Sequence, residues 1–216
     1  MQDRTPRLTQ EPRIEGVRAL LAPRNIAIVG ASDRPGNWSQ RVYRSLKRLD
    51  FPGAIYPVNP RNMTVWDGET CYPSLRELPE PPDHVVVIVP GAAAIETIVE
   101  AGKAEARSAT VFSGGFGEGG DPKGRALGKE LKRAIEEAGL AVSGPNCMGN
   151  LAAPYRLMTI PDDHQRARAR TGRDRRPERR FRLPDRLDEA ADRPNVGIVR
   201  EIADVIGAGE PKLVTA

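Results

Sequence analysis

Asn25-Ile26-Ala27-Ile28-Val29-Gly30-Ala31-Ser32 is a short run of β-branched and small apolar residues closed by a glycine and a hydroxyl-bearing turn. Apolar residues that do not alternate with polar ones fit a strand covered on both faces, as in a parallel sheet. Reading outward, Trp38 to Leu49 sets Val42, Leu46 and Leu49 at helical spacing with Arg and Lys between them, which predicts an amphipathic helix stopped by Phe51-Pro52-Gly53. Ala54 to Val58 is a second strand, and Pro57, with no N–H to give a neighbour, places it near the sheet edge. Val85 to Val89, opened by His84, is the strongest strand in the chain.

The alternation continues through a helix over 92–106, a strand over 109–112 and a glycine-rich loop. A helix over 122–137 follows, with Leu127, Leu131, Ala134 and Ile135 on one face and Gly139 as its stop, and then a last strand over 140–142. Strands separated by helices of this length imply right-handed βαβ units. The expected fold is α/β, a Rossmann-like doubly wound parallel sheet over residues 14–160, in its simplest strand order 3-2-1-4-5. Residues 161–194 read as an Arg-rich disordered tail and 195–216 as a short C-terminal element of unplaced role.

Composition agrees with a globular domain: 39% of residues are hydrophobic, 5% aromatic and 29% charged. No apolar run approaches the length of a membrane span, and none follows a basic start as in a signal peptide, so a cytoplasmic protein without a membrane partner is expected. Cys71 and Cys147 cannot build a disulfide framework and have no metal-ligand spacing with a histidine, so no metal is expected. The net charge of +4 raises the question of nucleic acid, but the excess is local: 165–193 holds eleven arginines and no lysine. A nucleic-acid partner is therefore not the leading expectation.

In a doubly wound sheet, ligands lie beyond the carboxyl ends of the strands, near the point where strand order reverses. Five loops of this chain meet that condition: Gly30-Ala31-Ser32, Asn59-Pro60-Arg61, Val89-Pro90, Ser113-Gly114-Gly115-Phe116-Gly117-Glu118, and Gly144-Pro145-Asn146-Cys147. Gly30 permits a tight turn, Ser32 offers a hydroxyl near a helix terminus and Arg61 a cation, a combination suited to phosphate. Singly, these residues are ordinary turn chemistry. Gly30-Ala31-Ser32 is not the three-glycine dinucleotide fingerprint, and Asn59-Pro60 stands where a nicotinamide dinucleotide site wants an acid, so both features point away from NAD.

Taken in order, Gly30-Ala31-Ser32, Tyr56-Pro57-Val58-Asn59-Pro60-Arg61, Tyr72-Pro73-Ser74-Leu75, Leu78-Pro79-Glu80, Val89-Pro90, Ser113 to Glu118 and Gly144-Pro145-Asn146-Cys147-Met148-Gly149 carry a family likeness. They resemble the N-terminal CoA-binding domain of the NDP-forming acyl-CoA synthetases, the ADP-forming acetate–CoA ligases and the succinyl-CoA synthetase alpha subunit among them. The resemblance spans 23–154. It implies coenzyme A as ligand, with Gly30, Ala31 and Ser32 along its phosphates and Asn59, Pro60 and Arg61 at its adenosine end. Val89 and Pro90 would lie by its adenine or ribose, and Ser113, Gly114, Gly115, Phe116 and Asn146 by its pantetheine arm. Glu118 resembles a glutamate that steadies a phosphohistidine in the full enzyme.

The family's acyl-phosphate chemistry runs through a histidine in a second domain and ATP bound in a third. The two histidines here, His84 and His164, stand in no such motif, and His84 reads as a surface or packing residue. The expectation is a CoA-binding module from a truncated or degenerate ligase with no catalytic residue of its own. The alternatives are the CoA-binding subunit of a split acyl-CoA ligase, acting only with partner domains, and a non-catalytic module touching nucleic acid through its tail. The tail also admits a reading-frame change: Gly172 to Phe181, back-translated and read one nucleotide later, permits Ala-Gly-Ile-Val-Gly-Gln-Ser-Gly-Gly-Phe, which resembles the strand and phosphate loop of the second domain.

Overall fold

The computed structural model describes residues 10–161 except 62. The readings of the Arg-rich segment, of its frame, of His164 and of the C-terminal element lie outside the described residues. Helix α1 (Gln10–Leu21) leads into β1 (Asn25–Val29), followed by α2 (Trp38–Arg48), β2 (Ala54–Val58) and the small hairpin β3 (Thr64–Val65) and β4 (Glu69–Thr70). Then come β5 (His84–Val87), α3 (Ala92–Lys103), β6 (Ser108–Val111), α4 (Pro122–Ala138), β7 (Ala141–Ser143) and a closing hairpin of β8 (Leu151–Ala152) and β9 (Leu157–Met158). No helix among the described residues is long and apolar enough to cross a membrane.

The main sheet is parallel and five-stranded, in the order β2-β1-β5-β6-β7. Counting its five strands along the chain, the order is 2-1-3-4-5, which corrects the expected 3-2-1-4-5. The reason lies in two residues types already visible in the sequence. Pro57 leaves β2 unable to complete a second ladder, so β2 takes the edge, with Ala54 exposed and Ile55 and Tyr56 half-buried. Every residue of β5, His84-Val85-Val86-Val87, is buried, so this strand belongs in the middle and pairs with β1 and β6.

Alternation along the strands divides the core between two faces. Ile26, Ile28 and Val86 pack with Val42 and Leu46 of α2 and with Leu157 of the closing hairpin. Ala27, Val85 and Val87 pack with Ala94 and Ile98 of α3 and Leu131 and Ala134 of α4. The helix α1, which has only a weak apolar stripe and was not foreseen, joins the first face through Val17, Leu20 and Leu21. Truncating a fully buried side chain such as Ile98 to alanine costs about 2–5 kcal/mol in a core of this kind.

Local signals set the helix ends. Asn37 caps α2 by accepting the Ser39 N–H, and Asp121 caps α4 by accepting the Gly124 N–H at 2.7 Å, with Pro122 in the first turn. Gly139 closes α4, its N–H donating to the Ile135 carbonyl at 3.0 Å. Asp121→Ala is expected to destabilise the domain by about 1 kcal/mol, measured as a lower urea midpoint with unchanged slope; an unchanged midpoint would remove the cap from this account.

His84 is a packing residue, and a fully buried one. Its Nδ1 lies 2.9 Å from Ser108 Oγ, and its Nε2 3.1 Å from Thr110 Oγ1. Ser108 Oγ donates to the Asp83 carbonyl, so it accepts from Nδ1–H; Nε2 then accepts the Thr110 hydroxyl, which in turn accepts the Asn150 side-chain amide. The neutral ring completes every bond in this chain of donors. Burial pushes the imidazole pKa down to about 3.

Candidate functional site

The corrected strand order moves the point of reversal to the boundary between β1 and β5, where α2 covers one face of the sheet and α3 the other. The loop after β1 and the extension of β5 touch there. The N–H groups of Gly30 and Ala31 both donate to the Val58 carbonyl, at 3.0 and 3.2 Å. Gly30 has φ +94°, and a Cβ built on it would stand 2.8 Å from the Ile88 carbonyl oxygen. Three of the foreseen loops, at Gly30, Asn59 and Val89, thus meet through backbone contact at the end of β1. Val89 is half-buried and Pro90 exposed.

Ser32 is held on three sides. Its N–H donates to Ser39 Oγ at 3.1 Å, its Oγ accepts the Arg34 N–H at 3.2 Å, and its carbonyl accepts Trp66 Nε1–H at 3.3 Å. Asp33 turns its carboxylate to the Trp66 N–H at 2.8 Å. Asn59 is a brace: Nδ2 donates to the Ala31 carbonyl at 2.8 Å while Oδ1 accepts the Arg61 N–H at 2.9 Å, so one amide ties the loops after β1 and β2 together. Pro60 lies between these bonds. The guanidinium groups of Arg34 and Arg61 are exposed and make no ion pair or side-chain hydrogen bond with the described residues.

A second group of residues gathers at the ends of β6 and β7. The Asn146 N–H donates to the Ser113 carbonyl at 3.0 Å, and the Asn146 side chain lies against Gly114. Glu118 folds back over its own loop, one carboxylate oxygen accepting the N–H groups of Gly115 at 3.0 Å and Phe116 at 2.7 Å. Hydrogen bonds from its own N–H and from those of Phe116 and Gly115 hold this carboxyl below its ordinary pKa. Phe116 is buried, and its carbonyl leaves no space for a side chain at position 128, which is why glycine stands there in α4. The Ser113 hydroxyl oxygen is buried and has no hydrogen-bond partner among the described residues. Buried polar atoms are nearly always paired, so this one marks a place where a partner belongs.

Between the two groups stands a residue that sequence reasoning treated only as the start of a helix. Trp38, the first residue of α2, is 40% exposed, and its ring meets Phe112 edge-on with centroids 5.9 Å apart. Phe112 follows β6 directly and precedes Ser113. The signal available was a large aromatic directly after a loop of small and polar residues. No group of three His, Cys, Asp or Glu side chains among the described residues is arranged to hold a metal ion.

These features fit an anionic nucleotide with an apolar extension: a tight glycine turn at the reversal point, and, with no partner among the described residues, two guanidinium groups and a hydroxyl, beside an exposed indole. The same residues fall in a known family. Residues 24–153 match the family described as CoA binding domain. The chain is 34% identical over 130 residues to the ADP-forming acetate–CoA ligase I of Archaeoglobus fulgidus, covering 60% of this chain and 18% of that protein. It is 35% identical over 127 residues to the subunit alpha of the ADP-forming acetate–CoA ligase II of Pyrococcus furiosus, covering 59% of this chain and 27% of that one. Among solved structures, acetyl-coenzyme A synthetase 1 of Ca. Korarchaeum cryptofilum, determined with phosphate and ADP, superposes with a TM-score of 0.63 at 35% identity, covering 68% of this chain and 31% of that one. The chain spans less than a third of the length of each of these proteins.

Proposed function

We propose, since the chain belongs to the CoA binding domain family, that it holds coenzyme A across the carboxyl edge of its sheet. The observation that carries the proposal is the Ser113 hydroxyl, the buried side-chain polar atom without a partner among the described residues, at the edge where the loops converge. Gly30, Ala31 and Ser32 line the phosphates; their N–H groups already donate to the Val58 carbonyl and Ser39 Oγ, so the loop contributes its tight shape and the Ser32 hydroxyl. Asn59 fixes the turn that presents Pro60 and Arg61 to the adenosine end, and Arg61 supplies the charge there. Val89 and Pro90 border the adenine or ribose. Ser113, Gly114, Gly115, Phe116 and Asn146 run beside the pantetheine arm, and Glu118 keeps their loop in shape. When bound, coenzyme A supplies a thiol for acyl transfer; this chain's residues hold and orient it.

Calorimetry with coenzyme A tests this. Saturable binding is expected, with NAD failing to compete, and no heat at millimolar coenzyme A from folded protein would overturn it. Arg61→Ala is expected to weaken binding about tenfold at low salt and progressively less as salt rises, because a single exposed charge contact is screened. A salt-independent loss would place Arg61 elsewhere.

The second reading, a subunit of a split ligase, is favoured by one observation: the relative from Pyrococcus furiosus is itself a subunit alpha. Co-purification with a chain carrying the histidine and ATP-binding domains, and ATP formation from acyl-CoA, ADP and phosphate only by the pair, would support it. A chain recovered alone, with no gain in activity on mixing with such a partner, would count against it.

A further inference from the structure

We propose that Trp38 is the residue that recognises the apolar arm of the ligand and sets preference for an arm-bearing nucleotide over the bare nucleotide; the proposal rests on the coenzyme A reading above.

The argument begins with exposure. Trp66, the other tryptophan, is 1% exposed and stacks on Tyr43 with centroids 4.7 Å apart, as a core indole does. Trp38 keeps 40% of its surface open, although it begins a helix whose Val42 and Leu46, farther along, are fully buried. Its ring nevertheless has a packing partner. Phe112 meets it edge-on, and the backbone beneath it is tied down by the Asn37 cap and by Ser39 Oγ, which accepts the Ser32 N–H. An aromatic surface packed along one edge and still open presents contact area at a lower ordering cost than a free side chain.

Position supplies the second step. Trp38 follows the loop after β1 and rests on Phe112, the residue that opens the loop after β6, so it stands between those two loops. Polarity along this edge is uneven. The exposed guanidinium groups of Arg34 and Arg61 belong to the loops after β1 and β2, whereas the indole, Phe112 and Ser113 lie toward β6. A ligand with a charged nucleotide end and a long, mostly apolar arm bearing amides has one favourable direction on such a surface. Its charge goes to the arginines, and its arm crosses the indole toward the loop after β6.

The test compares coenzyme A with adenosine 3′,5′-bisphosphate, which lacks the arm, on wild-type protein, Trp38→Phe and Trp38→Ala. Trp38→Ala is expected to weaken coenzyme A about tenfold and leave the bisphosphate unchanged, with Trp38→Phe between. Coenzyme A should also shift the emission of the wild-type protein, the bisphosphate should not, and Trp38→Phe, emitting from Trp66 alone, should show no shift. Trp66 emission at its buried wavelength certifies that each variant is folded. Equal losses for both ligands, or an unchanged coenzyme A affinity in folded Trp38→Ala, overturn the role of Trp38 while leaving the coenzyme A reading intact. Wild-type protein that binds neither ligand overturns that reading and this proposal with it.

Discussion

Gly30→Ala is expected to cost about 2–4 kcal/mol of stability and to abolish detectable coenzyme A binding at ligand concentrations that saturate the wild type. Two effects add. At φ +94° an L-residue is strained by itself, and the new Cβ would stand 2.8 Å from the Ile88 carbonyl oxygen and 3.0 Å from Val89 Cγ1. The Ile88 carbonyl belongs to backbone that extends β5, so relief requires the loop after β1 to lift off the neighbouring strand. That movement opens the contact on which the reversal point is built and pulls on the Gly30 and Ala31 bonds to Val58. Gly36→Ala is the control. Its φ is +80°, but a Cβ there meets nothing within 4 Å, so only the strain should appear, about 1 kcal/mol, with binding retained. Urea denaturation and calorimetry on both variants separate the cases. A Gly30→Ala protein as stable and as tight as Gly36→Ala would show that the approach of the two loops does not matter.

Acidification is expected to unfold the domain through His84. The ring's pKa falls from an ordinary 6.5 to about 3 in the folded chain, because burial excludes the charged form. Above pH 6.5 neither folded nor unfolded chain holds this proton, and stability is at its full value. Between 6.5 and about 3 the unfolded chain takes a proton that the folded one refuses, so stability falls by about 1.4 kcal/mol per pH unit through that window. The hydrogen bonds reinforce the effect: a proton on Nε2 would leave the Thr110 hydroxyl facing a donor. Asp83, whose carboxyl the Arg24 side chain holds below its ordinary range, adds its own loss at lower pH, when that carboxylate is protonated. Urea midpoints at pH 7, 6, 5 and 4 measure the slope. His84→Gln should be less stable at pH 7 by about 1–3 kcal/mol, having lost part of the bond network, yet markedly flatter between pH 6 and 4. Parallel curves for wild type and variant would take His84 out of the explanation.

The elements that alternate most clearly in the sequence are those found in the fold. The apolar runs at Ile26 and Val85 are strands, the stripe through Val42 and Leu46 is a helix, and Pro122 and Gly139 bracket α4. Boundaries shifted by a residue or two, β5 ending at Val87 rather than Val89, although the Ile88 N–H still donates to the Val29 carbonyl at 2.9 Å. Helix α1 was not read from the sequence because Pro12 and Gly16, poor helix formers, stand among its apolar residues, and packing against the sheet makes it a helix.

What the sequence determined by itself was the set of chemical parts: an α/β chain whose five candidate loops fall at the carboxyl ends of strands, and a family whose motifs they follow. That much is local, since a strand end, a glycine turn and a short ordered motif are read within a few residues. Only the tertiary structure decided which parts meet. Strand order depends on which strand can be covered on both faces and which must lie at the edge, a competition among the whole set that no single stretch records. Pro57 sends β2 to the edge and the buried valines bring β5 beside β1, so that the turn at Gly30 closes on the backbone of Ile88. The brace at Asn59, the folded-back carboxylate of Glu118 and the open face of Trp38 follow from side chains packed across distances in sequence that periodicity does not span.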